Sequence, residues 1–581
     1  MINYLITILR LMIIISGLQI GKEEEVNFNV NNPIIVQSDK TLLVEVNNVL
    51  YTEVRDKLSR FAEIIKSPEY IHTYKISPLS LWNAASSGMC FEEIMEILQK
   101  YSKYDIPQNV IKDIEDNINK YGKIKILRDG KDLLIKSEDK YIMEEIANYK
   151  AMQKYFKEKI DEVTYKIDKN IRGEIKLSLI KLGYPIEDLG GYIEGKTYDM
   201  SLRKVTLSGE ELLIRDYQNE ASEIFYSKGT AKGGSGVIVL PCGAGKTVTA
   251  MATMDKIKQQ TLILTTNITA LRQWKQELID KMNIAKEDIG EYSGEIKEIK
   301  PITISTYQIL THRKSKIDEF THMNIFHENN WGFIIYDEVH TLPAPVFRAA
   351  AEIQATRRLG LTATLVREDG KEDDVFSLIG PKKYDVPWKV LEKQGWIAEA
   401  QCTEIRVEMP EELKMEYAVS DSRNKFRIAS ENYKKIDILK DIINEHKDGK
   451  ILIIGQYIEQ LNLISKELNV PIITGKTKNA ERIQLFDKFK TGDINVLIVS
   501  KVANFAIDLP DANIAIQVSG TFGSRQEEAQ RLGRILRPKK GDNRAYFYSI
   551  VTANSREQEF AVKRQLFLVE QGYKYYIETI K

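Results

Sequence analysis

The chain has 581 residues, enough for several domains with separate cores. Its 83 Lys and Arg balance 83 Asp and Glu to a formal net charge of zero, so global charge offers no argument for a polyanionic partner and any basic surface has to be local. Three cysteines, Cys90, Cys242 and Cys402, stand far apart with no C-x-x-C pair, which excludes a disulfide framework and cysteine-held zinc or iron–sulfur centres and points to a reducing cytosol.

Taken in chain order, residues 1–27 come first, with an apolar run around Leu11-Met12-Ile13-Ile14-Ile15 and Arg10 in its middle. The run is short for a spanning helix and reads as an inessential extension rather than a membrane anchor. Residues 28–140 read as a small mixed module. Ser77-Pro78 is an N-cap and first-turn pair, and Gly88 closes the helix after it. Helices are expected from about Phe91 to Tyr101, with Ile94, Ile97 and Leu98 on one face, and from Pro107-Gln108 to Gly122, with Val110, Ile111, Ile114 and Ile118 as the stripe. Lys123–Ile126 and Leu133–Ile135 flank Asp129-Gly130, a hairpin signal. Three helices followed by a hairpin is the order of a winged helix, a unit that serves nucleic-acid and protein contacts alike. Residues 141–205 are charged and helical in pattern, a linker or a second small accessory domain.

From 206 to 395 strands alternate with helices, the pattern of a doubly wound parallel sheet, with strands predicted at 237–240, 261–265, 302–305, 333–336 and 358–361. The alternation resumes over 396–581, with strands predicted near 451–454, 471–473, 495–499, 514–518 and 545–550. This pattern predicts two α/β lobes of similar size with a cleft between them.

Between the first predicted strand and its helix lies Leu240-Pro241-Cys242-Gly243-Ala244-Gly245-Lys246-Thr247. A strand that breaks into a glycine-containing loop and then a helix aims backbone N–H groups and a helix N-terminus at phosphate oxygens. Lys246 supplies a point charge for the terminal phosphates, and the Thr247 hydroxyl is placed to ligate Mg²⁺. The strict pattern asks for glycine where Leu240 stands, so the match is to a shorter variant. Downstream, Phe333–Tyr336 delivers Asp337 and Glu338 to the C-terminal end of a strand, where open α/β sheets bind ligands. Asp337 is the candidate Mg²⁺ ligand and Glu338 the candidate base for an attacking water. The second lobe carries Gln530, Arg534 and Arg537, which fall on one helix face at i, i+4 and i+7. Guanidinium groups presented from a facing lobe neutralise transition-state charge and are worth roughly three to five orders of magnitude in rate. A split site of this kind links hydrolysis to lobe opening and closing.

These residues in this order resemble helicase superfamily 2, and within it the XPB family and its bacterial relatives, over about Phe28 to Ile577. Leu240–Thr247 is similar to that family's motif I and Asp337-Glu338-Val339-His340 to its motif II. The resemblance implies two tandem RecA-like lobes with the winged-helix-like module in front, ATP and Mg²⁺ as cofactors, and 3′-to-5′ movement along single-stranded DNA with duplex unwinding in DNA repair. Arg215-Asp216-Tyr217-Gln218 is similar to the element in which the glutamine reads adenine. Thr362-Ala363-Thr364 resembles motif III, which links the ATP site to the strand-binding side. Arg367-Glu368-Asp369 resembles an element particular to XPB proteins and associated with unwinding. Lys425-Phe426-Arg427 lies within 408–433, where the family carries a thumb-like insertion that contacts DNA. The implied DNA-backbone contacts are Thr265, Thr266, Ser305, Thr306, Tyr307 and Lys501. In motif V, Ser500-Lys501-Val502 and Asp508-Leu509-Pro510 fit, but Ala503-Asn504 replaces the usual Gly-Asp.

The expected partner is DNA, single-stranded and forked or damaged, with a nuclease as a further candidate. A monomer in the cytoplasm, nucleoid-associated when on DNA, with no membrane contact, is expected. Two rivals stand beside the helicase: an RNA helicase or duplex remodeller of the same fold, and an ATP-gated DNA-binding scaffold that recruits a nuclease without unwinding.

Overall fold

The computed structural model describes residues 29–580, apart from 68–69, 169–170, 314–320, 344, 347–348, 351–352, 355, 365–371, 501–511, 523 and 539–542. Two seven-stranded sheets form its larger part. The first lobe's strands are, along the chain, Ser235–Val239, Thr261–Thr265, Ile289–Tyr292, Ile302–Thr306, Phe333–Asp337, Arg357–Thr362 and Lys382–Asp385. In space they lie in the order third, fourth, second, fifth, sixth, first, seventh. The second lobe's strands are Glu399–Val407, Ile451–Gly455, Ile472–Ile473, Val496–Ser500, Ile514–Gln517, Arg544–Thr552 and Tyr575–Ile580. Their spatial order is the same, and every paired neighbour in both sheets runs parallel. Two α/β lobes of one topology are therefore present, as the alternating pattern predicts, and they are the RecA-like pair that the family resemblance implies.

Central strands such as Thr261–Thr265 and Ile451–Gly455 are buried along their whole length, because helices cover both faces of a parallel sheet. Four strands escape prediction: Ile289–Tyr292, Lys382–Asp385, Glu399–Val407 and Tyr575–Ile580. Three of these are sheet edges, and all four carry charged residues instead of an unbroken apolar run. One apolar cluster extends from Ile238, Leu240 and Met251 in the first lobe through Leu391 and Ile397 to Leu532 and Leu536 in the second, so the lobes meet through packed side chains.

The amino-terminal third departs from expectation. Ser77 does cap the helix Pro78–Ser86, accepting from Ser80 N at 3.1 Å, and Phe91–Tyr101 is helical as read. These helices, with Gln108–Ile118, pack on a four-stranded antiparallel sheet of Ile34–Val36, Thr41–Glu45, Ile71–Lys75 and Glu63–Lys66. The hairpin Ile124–Asp129 and Asp132–Ser137 belongs elsewhere. It is the centre of a five-stranded sheet completed by Phe156–Lys159, Thr164–Ile167 and Ile186–Asp188, with a separate apolar core. The winged-helix grouping and the boundary at 140 are thus corrected: the helices and the hairpin fall in two different α+β units, divided between Ile118 and Ile124. Of the two readings of 141–205 the structure favours a part of a small accessory domain: helices Lys140–Asn148, Lys150–Gln153 and Arg172–Lys181 alternate with three strands that join the second unit. Those strands are three or four residues long and largely polar, too short for a periodic signal. Trp82 of the first unit, Ile180 of the second and Phe376 of the first lobe pack together where the three bodies join. Among the described residues no helix is long and apolar enough to cross a membrane, and residues 1–27 lie outside them.

Candidate active site

The loop after strand Ser235–Val239 owes its shape to two glycines. Gly243 and Gly245 have φ of +81° and +80°, the left-handed region that glycine reaches without a Cβ penalty. Leu240 and Ala244 are fully buried, so the position where the strict motif has glycine is a core residue here. The helix Lys246–Ile257 starts directly after Gly245, with Lys246 and Thr247 half-buried in its first turn. The segment Arg215–Gln218 braces this loop from behind. Gln218 Nε2 and the Tyr217 hydroxyl both donate to the Ala244 carbonyl, at 2.9 and 2.7 Å. Arg215 N in turn donates to Gln218 Oε1 at 3.0 Å, and a Cβ at Gly245 would sit 2.4 Å from Gln218 Nε2. The glutamine expected at the nucleotide is therefore built into the loop's own support. Cys242 is half-buried within the loop, and burial pushes its thiol pKa up.

Strand Phe333–Asp337 brings the two carboxylates to the same end of the sheet. Asp337 Oδ1 accepts the Glu338 N–H at 3.1 Å and Oδ2 accepts the indole N–H of Trp274 at 2.9 Å. Its carbonyl accepts the Tyr307 hydroxyl at 2.8 Å. Burial, and then the neighbouring Glu338 charge, push the Asp337 carboxyl up to about 6, against the pull of Trp274 and Lys246. Glu338 adopts φ +49°, a left-handed conformation that costs a non-glycine residue of order 1 kcal/mol and recurs at functional sites. Its Oε1 lies 3.9 Å from Lys246 Nζ and its Oε2 3.5 Å from His340 Nδ1. Oε2 is enclosed and accepts no hydrogen bond among the described residues. Burial alone would lower the Lys246 ammonium; Cys242, Glu338 and Asp337 outweigh it and hold the lysine charged.

His340 links this acid pair to the next strand. Its Nδ1 shares a 2.6 Å hydrogen bond with Thr362 Oγ1. That hydroxyl contacts the Thr364 carbonyl at 2.5 Å and accepts the Thr364 N–H at 3.1 Å. Thr362, Ala363 and Thr364 are all buried, so the hydrogen bonds from His340 run enclosed to the strand end that precedes residues 365–371.

The second lobe contributes helix Arg525–Ile535, capped by Ser524 and anchored below by buried ion pairs. Glu528 meets Arg564 at 3.4 Å, and Arg531 meets Glu527 at 3.4 Å and Gln517. Gln530 and Arg534 lie half-buried on this helix. Arg537 does not share it, a correction to the reading of one continuous face: the helix ends at Ile535, with Leu536 as its C-cap. Arg537 instead reaches the site through the turn, where its Cγ lies 3.6 Å from the position a Cβ on Gly243 would take. Burial lowers both guanidinium groups. Cys242 and Glu338 oppose this at Arg534, and Glu277 and Cys242 at Arg537.

The expected DNA-contact residues divide. Thr265 and Ser305 are fully buried, and Thr306 and Tyr307 are 4% exposed. Thr265 Oγ1 donates to the Asn267 and Ser305 carbonyls, and Thr306 Oγ1 caps the helix Tyr307–Leu310. Side-chain contact to DNA by these four is corrected by that burial; Thr266, half-buried beside Asn267, remains available. In the thumb-like stretch, helices Glu411–Val419 and Ser422–Ser430 form a hairpin. Phe426 there is a core residue packed on Phe522 and Phe560, another correction, whereas Arg427 is exposed and pairs with Glu431 and Glu459. Lys425 lies over the Tyr417 ring at 5.7 Å. Arg367, Glu368, Asp369, Lys501 and Ala503-Asn504 lie outside the described residues. Trp274 and Tyr307, which hold Asp337, carry no sequence signal of that role: Trp274 reads as one more apolar position and Tyr307 as a DNA contact.

Three family models match the chain: residues 391–581 the one described as ERCC3/RAD25/XPB C-terminal helicase, residues 34–161 a helicase conserved C-terminal domain, and residues 211–367 the type III restriction enzyme res subunit. A protein named DNA 3'-5' helicase XPB from Mycobacterium tuberculosis is 49% identical, the match covering 94% of this chain and 98% of that one. A namesake from Kineococcus radiotolerans is 45% identical over 94% and 96%. The general transcription and DNA repair factor IIH helicase/translocase subunit XPB of Enterocytozoon bieneusi is 35% identical over 94% and 92%. On matches that run nearly the whole length of both partners, the chain belongs to the XPB family of helicases.

Proposed function

We propose that this protein is an ATP-dependent 3′-to-5′ DNA helicase acting in DNA repair, with hydrolysis in the cleft between its two lobes. The observation that carries the reading is the approach of the arginine helix and the turn after it to the phosphate loop, with Gly533 facing Cys242 and Arg537 beside Gly243, where Lys246 Nζ lies 3.9 Å from Glu338 Oε1. Lys246 and the first-turn amides bind the triphosphate; Glu338 positions and deprotonates water; the two arginines neutralise charge developing on the transferred phosphoryl group. The left-handed Glu338 turns one carboxylate oxygen toward Lys246 and keeps the other enclosed and unbonded beside His340, which suits a base for hydrolysis better than a residue that merely binds.

Thr247 and Asp337 fit Mg²⁺: a hydroxyl and a carboxylate are the hard oxygen donors that ion takes, and the raised Asp337 pKa marks a buried carboxylate that a cation would stabilise. When bound, Mg²⁺ supplies charge neutralisation across the phosphate oxygens. The relay His340–Thr362–Thr364 transmits the state of the acid pair toward Arg367-Glu368-Asp369, whose role is to help split the duplex. The chain acts as a monomer on forked or damaged DNA, with a nuclease as a candidate partner.

The scaffold reading predicts tight nucleotide-dependent DNA binding with negligible turnover, and needs neither Glu338 nor the arginines. Steady-state ATPase with single-stranded DNA, RNA or neither, run beside unwinding of duplexes with a 3′ or a 5′ tail, separates the two. Stimulation by DNA and unwinding from the 3′ tail are expected. Binding without turnover overturns the proposal. Arg367→Ala should damage unwinding more than hydrolysis; equal loss of both would remove Arg367 from strand separation.

A further inference from the structure

Gly533 sits inside helix Arg525–Ile535, where glycine costs about 1 kcal/mol relative to alanine. The reason for tolerating that cost lies across the cleft. A Cβ at Gly533 would stand 2.2 Å from Cys242 Cβ and 2.7 Å from its Sγ, distances at which something has to move. Opposite stands the loop that cradles phosphate, held from behind by Gln218 and Tyr217 and so poorly able to retreat. The helix is held equally firmly, since its Glu528 and Arg531 are buried in ion pairs. Neither side yields, and the missing side chain is what lets the two surfaces touch. Arg534 comes immediately after it in sequence, and Arg537 meets the same loop at Gly243.

We infer that Gly533 and Cys242 form the contact stop of lobe closure: glycine at 533 sets how closely the second lobe approaches the phosphate loop, and hence the reach of Arg534 and Arg537. Gly533 is a positioning residue, acting through the arginines and not on substrate. The inference rests on the split-site reading of the function.

The test is a double-substitution cycle on the full chain, with DNA-stimulated kcat as the readout. Gly533→Ala improves helix propensity, so a melting temperature at or above that of the unsubstituted chain is expected while kcat falls about a hundredfold, the cost of an ångström-scale misplacement. Made in a Cys242→Gly background, where the opposing Cβ is gone, the same Gly533→Ala step should cost no more than about threefold, the scatter expected of independent sites. In a Cys242→Ala background, which keeps the Cβ, the full loss should persist. Rescue by glycine and not by alanine at 242 is the signature of the contact. An equal loss in all three backgrounds, or no loss in any, overturns the inference. Should Gly533→Ala not fold, Cys242→Leu enlarges the same contact from the loop side and must lower DNA-stimulated kcat; unchanged kcat there also overturns it. Failure of the split-site reading is distinguishable, because Arg534→Ala would then keep kcat within a few-fold of the unsubstituted chain whatever stands at 242 and 533.

Discussion

The two lobes share one strand order and differ in the segments attached to their strand ends. In the first lobe, strand Ser235–Val239 runs into the phosphate loop and strand Phe333–Asp337 ends in the acid pair. The equivalent first strand of the second lobe, Glu399–Val407, runs instead into the helical hairpin Glu411–Ser430, and the equivalent fifth strand, Ile514–Gln517, leads to the arginine helix. One sheet topology therefore supplies two half-sites of opposite charge. On the proposed mechanism the first lobe holds the groups that bind and attack, and the second those that stabilise the transition state. The sheet presents its strand ends at the cleft and takes no part in the choice of chemistry, which lies in a few residues of loop.

That division can be broken at several points. The largest effects belong to the first lobe: Lys246→Ala and Glu338→Gln should each bring DNA-stimulated hydrolysis to the limit of detection. Nucleotide binding should separate them, being lost in Lys246→Ala and kept in Glu338→Gln; the base alone is worth about two to four orders of magnitude in rate. Loss of binding in both would mean that Glu338 shapes the loop and does not act on water. Trp274→Phe comes next. It removes the 2.9 Å hydrogen bond to Asp337 while keeping an aromatic ring in a buried position, and kcat should fall about tenfold to a hundredfold, the usual cost of removing a residue that orients a ligand. Equal activity would show that Asp337 is oriented by Tyr307 and its own backbone.

The smallest effect is on stability. The folded-state Asp337 pKa of about 6 lies above the ordinary aspartate value of 3.8, so between these the native chain binds a proton that the unfolded chain does not. Stability without nucleotide should fall as pH rises from about 4 to about 6 by this group's share and level off above. Melting temperatures of the unsubstituted chain and Asp337→Asn across that range isolate the share, because the amide cannot titrate. Parallel curves would place the Asp337 pKa at its ordinary value.

Much of this was legible in the residues. The phosphate loop, the acid pair and the arginine run each concentrate their chemistry within a dozen residues, and buried central strands announce themselves as apolar runs. Lobe edges did not, because Lys382–Asp385 and Tyr575–Ile580 are shielded on fewer sides and tolerate charge. The amino-terminal third misled for a different reason. A hairpin is a local signal, but its sheet is completed by Ile186–Asp188, about 60 residues on, and pairing at that range leaves no local trace. The same holds for Trp274, which meets Asp337 across the sheet and looks like any helix core residue in sequence. Thr265 and Ser305, named as DNA contacts from the family resemblance, are fully buried, and the Thr265 hydroxyl is spent on the carbonyls of Asn267 and Ser305.

The measurement that bears most directly on the split site is Arg534→Ala, assayed for nucleotide affinity and for DNA-stimulated kcat on the same preparation. Affinity should change little, since the first lobe holds the triphosphate, while kcat falls by roughly three orders of magnitude or more. A kcat within a few-fold of the unsubstituted chain would mean that hydrolysis is completed within the first lobe alone.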